Sequence, residues 1–300
     1  MIYNLVLAGS QLKGLAYIGT LRALEELKLT HTIKNICGVS SGAIFGLLIF
    51  LGLNYERLFE LAIKICKYDL IRSTEKINIS NILELYGIES GENIKKILRV
   101  VLETKTKKKD CTFRDLEEVF PEKTFIVVGT NVTENITEYF SKDTTPYMKI
   151  IDAIRISISI PMIFTKQEYK NNLYVDGGIG CNIPMDYFKN DIEHTLGICV
   201  SSPNYLTDIT SVESYMFRIF RILLDNIDNY IIERYRDNIV EILVDYNYLN
   251  IDINEDKTRY LINAGYEQFK TEIYKTRFSD YLEINSIINS LITNIENRDK

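Results

Sequence analysis

The chain has 300 residues, of which 46% are apolar, so it is long enough to bury a large core. Its net charge of -6, without basic stretches interleaved with aromatic residues, argues against nucleic acid as a partner. The five cysteines are scattered without a CxxC pair, which predicts reduced thiols rather than disulfides or a zinc site. No signal-peptide pattern opens the sequence, and the longest apolar run, 43–53, is too short to span a bilayer. We therefore expect a cytoplasmic protein without a transmembrane segment.

Segments with strand and helix patterns alternate along the chain. Short apolar runs predict strands at 2–7, 33–37, 124–129, 138–140, 173–175, 195–201 and 239–244. Helical spacing predicts helices at 15–29, 43–53, much of 54–119 with a break near 87–91, 150–157, a stretch beyond 211, and 259–274. This alternation favours a mostly parallel sheet covered by helices on both faces. Because no Pro/Gly/Ser linker interrupts it, we expect one domain over 1–300, with a motif-bearing core at about 1–200 that the elements of 201–280 complete.

Segment 38–42 reads Gly-Val-Ser-Ser-Gly and lies between a predicted strand and a predicted helix, which is the pattern of a nucleophile elbow. Gly38 and Gly42 leave room for a sharp turn, because a Cβ at either position would crowd the neighbouring element. The turn lifts the Ser40 hydroxyl out at a helix N-terminus, whose partial positive charge favours developing negative charge nearby. Ser40 is therefore a candidate nucleophile, although glycine and serine are also common in ordinary strand-to-helix turns.

A serine that attacks an ester needs a base, and the usual base is histidine. The chain has only two, His31 in a polar connection and His194 after an acidic stretch, and we expect both to be surface or structural residues. A carboxylate is then the candidate, and Asp176 ends a predicted strand, at an edge where open α/β sheets build their sites. Partial burial would raise its pKa from about 3.9 towards the useful range. Asp176, Gly177 and Gly178 also form a common turn sequence, and taken alone the pattern favours the turn.

Segment 9–14, Gly-Ser-Gln-Leu-Lys-Gly, lies between the first predicted strand and the first predicted helix. A glycine-bearing loop before a helix can aim backbone amides at the oxyanion of a tetrahedral intermediate. The rival is a dinucleotide fingerprint, but Gln11 replaces its middle glycine, which speaks against close approach of a pyrophosphate. The candidate oxyanion residues are Gly9, Ser10, Gln11, Lys13 and Gly14.

These segments and three others resemble the patatin-like phospholipases, a family of lipid acyl hydrolases. Segment 7–17 resembles the family's glycine-rich oxyanion loop and following helix, and segment 38–43 matches its elbow. The remaining similarities are to a segment before its middle strand, its Ala-x-Arg-x-Ser-x-Ser-x-Pro stretch, its Asp-Gly-Gly motif and its closing helix, at 112–116, 153–161, 174–178 and 262–266. All of them occur in the family's order.

The resemblance implies a three-layer α/β architecture and a Ser–Asp dyad, with Ser40 as nucleophile, Asp176 as base, and no metal or cofactor in the chemical step. It implies hydrolysis of lipid acyl esters, above all phospholipids, at the surface of a membrane or micelle. One departure is that Ser10 and Gln11 stand where the family's loop usually has its second and third glycines, while Lys13 keeps the basic position. If the backbone at these two positions needs a positive φ, each non-glycine residue there costs about 1 kcal/mol of stability. An alternative therefore stays open, a catalytically weak or silent module that binds lipid or a partner.

Overall fold

A computed structural model of the chain describes residues 1–68, 84–202, 209, 211–245 and 254–296. The part of the helical prediction that falls on 69–83 lies outside these residues. Among the described helices, none combines the length and the apolar character that crossing a membrane requires.

Strands and helices alternate in the described chain as the sequence predicts. The strands are β1 Asn4–Leu7, β2 Asn35–Val39, β3 Gly87–Glu89, β4 Thr124–Asn131, β5 Ile136–Phe140, β6 Met162–Phe164, β7 Gln167–Tyr169, β8 Asn172–Asp176, β9 Thr195–Ser201 and β10 Ile239–Leu243. The α-helices are α1 Ala16–Glu26, α2 Ser41–Phe50, α3 Tyr55–Lys67, α4 Glu92–Thr106, α5 Phe113–Val119, α6 Ile150–Ser157, α7 Gly177–Gly180, α8 Val212–Arg234, α9 Glu255–Glu272 and α10 Ser279–Glu296. Two longer 3₁₀ segments, Gln11–Leu15 and Met185–His194, complete the elements that matter for the site.

The central sheet has the strand order β10-β9-β1-β2-β4-β8-β7, with β5 also paired to β4. Strands β10, β9, β1, β2 and β4 are parallel, whereas β5 and β8 run antiparallel to β4, and β7 runs antiparallel to β8. A separate two-stranded sheet joins β3 and β6. The mostly parallel sheet with flanking helices confirms the predicted α/β class.

Successive residues of each central strand point to opposite faces of the sheet, and each face has its own core. In β1, Leu5 and Leu7 belong to the larger core, together with residues of α1, α2 and α9, while Val6 belongs to the smaller one. Residues of the Met185–His194 segment and the C-terminal end of α8 pack on the smaller core. Because both faces are covered, the inner strands β1, β2, β4 and β9 are largely apolar rather than alternating.

The late elements extend the sheet and core that the first elements begin. Strand β10 pairs with β9, and α9 packs on α1 so closely that only glycine fits at two positions of the contact. A Cβ on Gly19 would lie 1.8 Å from the carbonyl oxygen of Ile262, and one on Gly265 would lie 2.0 Å from that of Ala16. The segment 262–266 that resembles the family's closing helix therefore supplies this backbone-to-backbone contact.

Some elements were not predicted from the sequence. Strands β3, β6 and β7 have three residues each, which is too short for an alternating pattern to be recognised. Helix α10 was also missed.

Candidate active site

The register of three adjacent strands brings the two candidate catalytic residues to one level of the sheet. Val39, the last residue of β2, pairs with Val128 of β4, so Ser40 follows at the level of Gly129. On the same edge of β4, the next residue, Gly129, pairs with Asp176, while β5 pairs along the opposite edge. Because β8 is antiparallel to β4, Asp176 reaches this level through the register and not because parallel strands end at a common edge.

The turn after β2 holds Ser40 in a backbone conformation that glycine favours, with φ 53° and ψ -123°. A residue with a Cβ pays roughly 1–3 kcal/mol for such dihedrals. The close packing around the turn explains both flanking glycines, since a Cβ on Gly42 would lie 2.2 Å from the carbonyl oxygen of Leu7. One on Gly38 would lie 2.5 Å from the Cα of Ala43. The elbow is therefore a strained turn that the surrounding backbone enforces.

Ser40 and Asp176 are joined by a short hydrogen bond in a buried setting. The Ser40 hydroxyl donates to Oδ2 of Asp176 at 2.6 Å, and the amide of Gly178 donates to Oδ1 at 2.8 Å. Burial raises the pKa of Asp176 to about 7, although both hydrogen bonds act in the opposite direction. A Cβ on Gly177 would lie 2.3 Å from the carbonyl oxygen of Val128, which explains the first glycine after the aspartate. The proton affinity of this carboxylate is in the range that general-base chemistry near neutral pH requires.

The segment 153–161 contacts both members of this pair. The hydroxyl of Ser157 accepts a hydrogen bond from the amide of Ser40 at 2.8 Å. Two residues on, the carbonyl oxygen of Ser159 accepts one from the amide of Asp176 at 2.9 Å. Sequence reasoning recognised this segment only by resemblance and assigned it no role, although serines at alternate positions after Arg155 were a visible signal.

Arg155 is a buried cation that braces the same segment. Its guanidinium donates to the hydroxyl of Ser159 at 2.7 Å, to the carbonyl oxygen of Ser90 at 2.8 Å and to that of Thr165 at 2.9 Å. Burial lowers the pKa of Arg155 to about 10, so it still carries its charge at neutral pH. It ties α6 to the start of α4 and to the turn between β6 and β7.

The candidate oxyanion loop uses some of its amides internally. The amide of Ser10 donates to the hydroxyl of Ser41 at 3.0 Å, and that of Lys13 donates to the carbonyl oxygen of Ser10 at 3.1 Å. The amides of Gly9 and Gln11 have no acceptor among the described residues. Of the two positions that depart from the family's glycines, Gln11 has a positive φ of 53°, whereas Ser10 has a φ of -143°.

Lys13 does not line the cavity in which Ser40 lies. Its side chain is buried behind the loop, where it faces a second cavity of about 290 Å³. Burial, helped by the charge of Arg221, lowers the pKa of Lys13 to about 8. Of the predicted oxyanion residues, Gly9, Ser10 and Gln11 line the Ser40 cavity.

Helix α8 forms one wall of the Ser40 cavity, which has a volume of about 70 Å³. Phe220 and Leu224 of this helix line it, as does Asp228, whose carboxylate accepts a hydrogen bond from the side-chain amide of Asn182 at 2.7 Å. Burial raises the pKa of Asp228 to about 6. Sequence reasoning assigned none of these residues to the site, because nothing in a helical pattern shows what the helix covers.

Both histidines lie at the N-terminal ends of strands, whereas Ser40 lies at a C-terminal end. His31 precedes β2 and His194 precedes β9, while Ser40 follows β2. The length of a five-residue strand, about 16 Å, separates these two ends of the parallel strands. His194 contacts Asp191 through Nδ1 at 2.6 Å and stacks on the ring of Tyr3. Among the described residues, no cluster of three or more His, Cys, Asp and Glu side chains is placed to hold a metal ion.

Comparisons with known proteins show what this chain is similar to. The family model of the patatin-like phospholipases matches residues 5–189. The chain is 28% identical over 286 residues to Uncharacterized protein R571 of Acanthamoeba polyphaga mimivirus, an alignment that covers 91% of this chain and 94% of that protein. It is 33% identical over 185 residues to Probable lipid hydrolase 463L of Invertebrate iridescent virus 6, covering 61% of this chain and 62% of the relative.

Solved structures share the fold at low sequence identity. VipD from Legionella pneumophila superposes with a TM-score of 0.66 at 17% identity, over 91% of this chain and 66% of VipD. ExoU of Pseudomonas aeruginosa, in its complex with SpcU, gives a TM-score of 0.56 at 19% identity, over 91% of this chain and 51% of that one. The family match covers more than half of the chain and confirms the resemblance seen in its motifs. The chain belongs to the patatin-like phospholipase family.

Proposed function

We propose that this protein hydrolyses the acyl esters of lipids, phospholipids above all, through a covalent acyl-Ser40 intermediate. The observation that carries the proposal is the 2.6 Å hydrogen bond from the Ser40 hydroxyl, on a strained elbow, to the buried carboxylate of Asp176. Family membership supports the hydrolase class, and so does the similarity to the iridescent-virus relative, which is named a probable lipid hydrolase.

In the acylation half of the proposed reaction, Asp176 takes the hydroxyl proton while Oγ of Ser40 attacks the ester carbonyl carbon. The carbonyl oxygen becomes an oxyanion, and the amides of Gly9 and Gln11 donate hydrogen bonds to it. The bond to the leaving alcohol then breaks, and Asp176 gives its proton to the alcohol oxygen. A pKa of about 7 suits both steps, because the same carboxylate must accept a proton and return it.

In the deacylation half, Asp176 takes a proton from a water molecule whose oxygen attacks the acyl carbon. The second oxyanion collapses, the bond to Oγ of Ser40 breaks, and Oγ recovers the proton from Asp176. The products are a free fatty acid and the enzyme in its starting state.

A fluorophosphonate probe separates this function from a catalytically silent lipid- or partner-binding module. An activated serine reacts covalently with the probe, so the wild-type protein should be labelled and Ser40→Ala should not. A folded protein that is not labelled and that turns over no ester would overturn the proposal in favour of the silent module.

The two adjacent serines should differ in their importance. Ser40→Ala should lower turnover about a thousandfold, which corresponds to about 4 kcal/mol of transition-state stabilisation. Ser41→Ala removes only the acceptor of the Ser10 amide, a contribution of about 1 kcal/mol, and should cost less than about tenfold. Turnover of a phospholipid by the folded variants measures both effects. Full activity in Ser40→Ala would exclude Ser40 as the nucleophile.

If Asp176 is the base, its ionisation should determine how kcat/KM depends on pH. Asp176 must be ionised to accept a proton, and burial raises its pKa, so kcat/KM should rise with pH to a plateau above about 7. Asp176→Asn keeps the shape of the side chain and should remove most turnover, whereas the controls His31→Ala and His194→Ala should remain nearly as active as wild type. Loss of activity in a histidine variant, with Asp176→Asn still active, would show that the base is misassigned.

The stability of the protein should respond in opposite directions to glycine at Gln11 and at Ser10. Glycine adopts the positive φ of Gln11 without strain, so Gln11→Gly should raise the free energy of unfolding by up to about 1 kcal/mol. Its turnover should change by less than tenfold, or under about 1.4 kcal/mol in the barrier. Ser10→Gly relieves no strain and should lower both quantities, because it adds flexibility and removes the buried hydroxyl that is hydrogen-bonded to the hydroxyl of Tyr17 at 3.0 Å. Urea unfolding and turnover of the two variants test this, and equal effects at both positions would contradict it.

The strain at the elbow should be measurable as stability. Ser40→Gly and Ser40→Ala both remove the hydroxyl and its bond to Asp176, so their difference isolates the backbone conformation. Glycine accepts a φ of 53° and a ψ of -123°, and Ser40→Gly should be the more stable variant by about 1 kcal/mol, despite the greater entropy of its unfolded chain. Urea unfolding of the two variants measures this difference, and a more stable Ser40→Ala would show that the turn is not strained.

A further inference from the structure

Helix α8 turns apolar side chains towards solvent. Six of them recur every three or four residues along one exposed face, which we call the apolar stripe: Val212, Met216, Ile219, Leu223, Ile227 and Tyr230. The first is 74% exposed and the last 64%. A surface helix normally has the reverse arrangement, and soluble proteins rarely expose a contiguous apolar patch without a use for it.

The face of α8 opposite the stripe carries charge and points into the molecule. Arg221 forms an ion pair with Asp225, one turn further along, and both side chains are only about one-fifth exposed. Asp228 accepts the hydrogen bond from Asn182 and lines the Ser40 cavity. The helix is thus amphipathic with its charged face inward and its apolar face outward.

The position of α8 leaves little room for a lipid. Phe220 and Leu224 close the cavity over Ser40 to about 70 Å³, whereas pockets that hold organic ligands usually measure about 300–1,000 Å³. At its C-terminal end the helix is anchored, because Ile231 and Ile232 pack on the smaller core. The cavity as it stands is therefore too small for an acyl ester, and moving α8 away from it would enlarge it.

We propose that the apolar stripe of α8 docks on the surface of a lipid layer, and that docking draws the helix off the Ser40 cavity. The inference rests on the proposed function, since a lipid ester that Ser40 attacks must come from such a layer. None of the six stripe residues is charged, and Tyr230 ends the stripe with a side chain whose ring is apolar and whose hydroxyl is polar, the kind that favours a membrane interface.

A second apolar rim adjoins the same cavity. Ile160 and Pro161 line it together with Phe220, and the next residue, Met162, is 72% exposed. Met162 pairs with Gly87 of β3, whose neighbour Ile88 is exposed too. Apolar side chains therefore border the cavity both on α8 and just before β6, as expected of a cavity entrance that faces hydrocarbon.

The chain contains no tryptophan, so a single introduced tryptophan reports docking without background. In a Ser40→Ala protein, which leaves the lipid intact, Leu223→Trp should shift its emission to shorter wavelength when phosphatidylcholine vesicles are added. Brominated acyl chains should quench that emission, and high salt should not reverse the shift, because the stripe is uncharged. The control is Val100→Trp in the same protein, at a position of α4 that is 64% exposed and should show no shift.

Other occupants of the stripe give different results in this experiment. A shift that grows with protein concentration without vesicles, together with a dimer by size exclusion, would assign the stripe to a second copy of the chain. No shift in either case would leave a protein partner as the occupant. Either result overturns docking on lipid.

The second test of docking is a measurement of enzymatic activity on two kinds of substrate. Met216→Ser with Leu223→Ser should lower the ratio of activity on phosphatidylcholine vesicles to activity on a soluble short-chain ester at least about tenfold, because two apolar side chains no longer enter the lipid. Val100→Ser with Ile284→Ser removes two exposed apolar side chains from α4 and α10 and should leave the ratio unchanged. An active stripe variant with an unchanged ratio overturns the docking proposal alone. A wild-type protein inactive on both substrates overturns the proposed function, while the fluorescence measurement still tests docking.

Discussion

The hydrogen bond between Ser40 and Asp176 is the constraint on which most of the described structure depends. It requires that a hydroxyl and a carboxylate meet within 2.6 Å, and the ends of β2 and β8 do meet, because the two strands pair with successive stretches of the same edge of β4. A slip of one residue in either pairing would turn the adjoining side chains to the other face of the sheet. The glycines at the elbow and after Asp176 are required for the same reason, since the backbones there approach too closely for a Cβ.

Holding this pair costs stability, and the surrounding contacts offset the cost. Ser40 has strained dihedrals and Asp176 is a carboxylate away from water, so each would relax if its neighbours allowed it. Ser157 fixes the amide of Ser40, and Ser159 fixes that of Asp176, while Arg155 holds the segment on which both serines lie. Residues that never touch the ester in the proposed reaction thus determine whether the reacting groups stay aligned.

Much of the fold and the central pair could be predicted from the sequence, because both have strong local patterns. Alternating strands and helices indicated the parallel sheet, and the spacing around Ser40 indicated a turn that only glycines permit. The sequence could not show that β8 is antiparallel, since a strand pattern carries no direction. It could not show that Lys13 faces away from the Ser40 cavity either, or that the amide of Ser10 is used by Ser41, because those facts depend on which side of a loop the neighbouring helices pack.

The environment of helix α8 could not be predicted from the sequence either, but the two faces of the helix have a physical explanation. The three- to four-residue spacing of Val212, Met216, Ile219 and Leu223 predicts a helix with an apolar face. The spacing is the same whether that face packs on a core or is exposed to solvent. If α8 leaves the cavity, the hydrogen bond between Asn182 and Asp228 is lost, but water then solvates the charged side chains of Arg221, Asp225 and Asp228. Contact with hydrocarbon stabilises the outer face of α8, in proportion to the apolar area removed from water. In the proposed docking, the stabilisation of the outer face by lipid must therefore exceed the contacts that hold α8 over Ser40 in water, among them the side chains of Phe220 and Leu224 and the Asn182–Asp228 hydrogen bond.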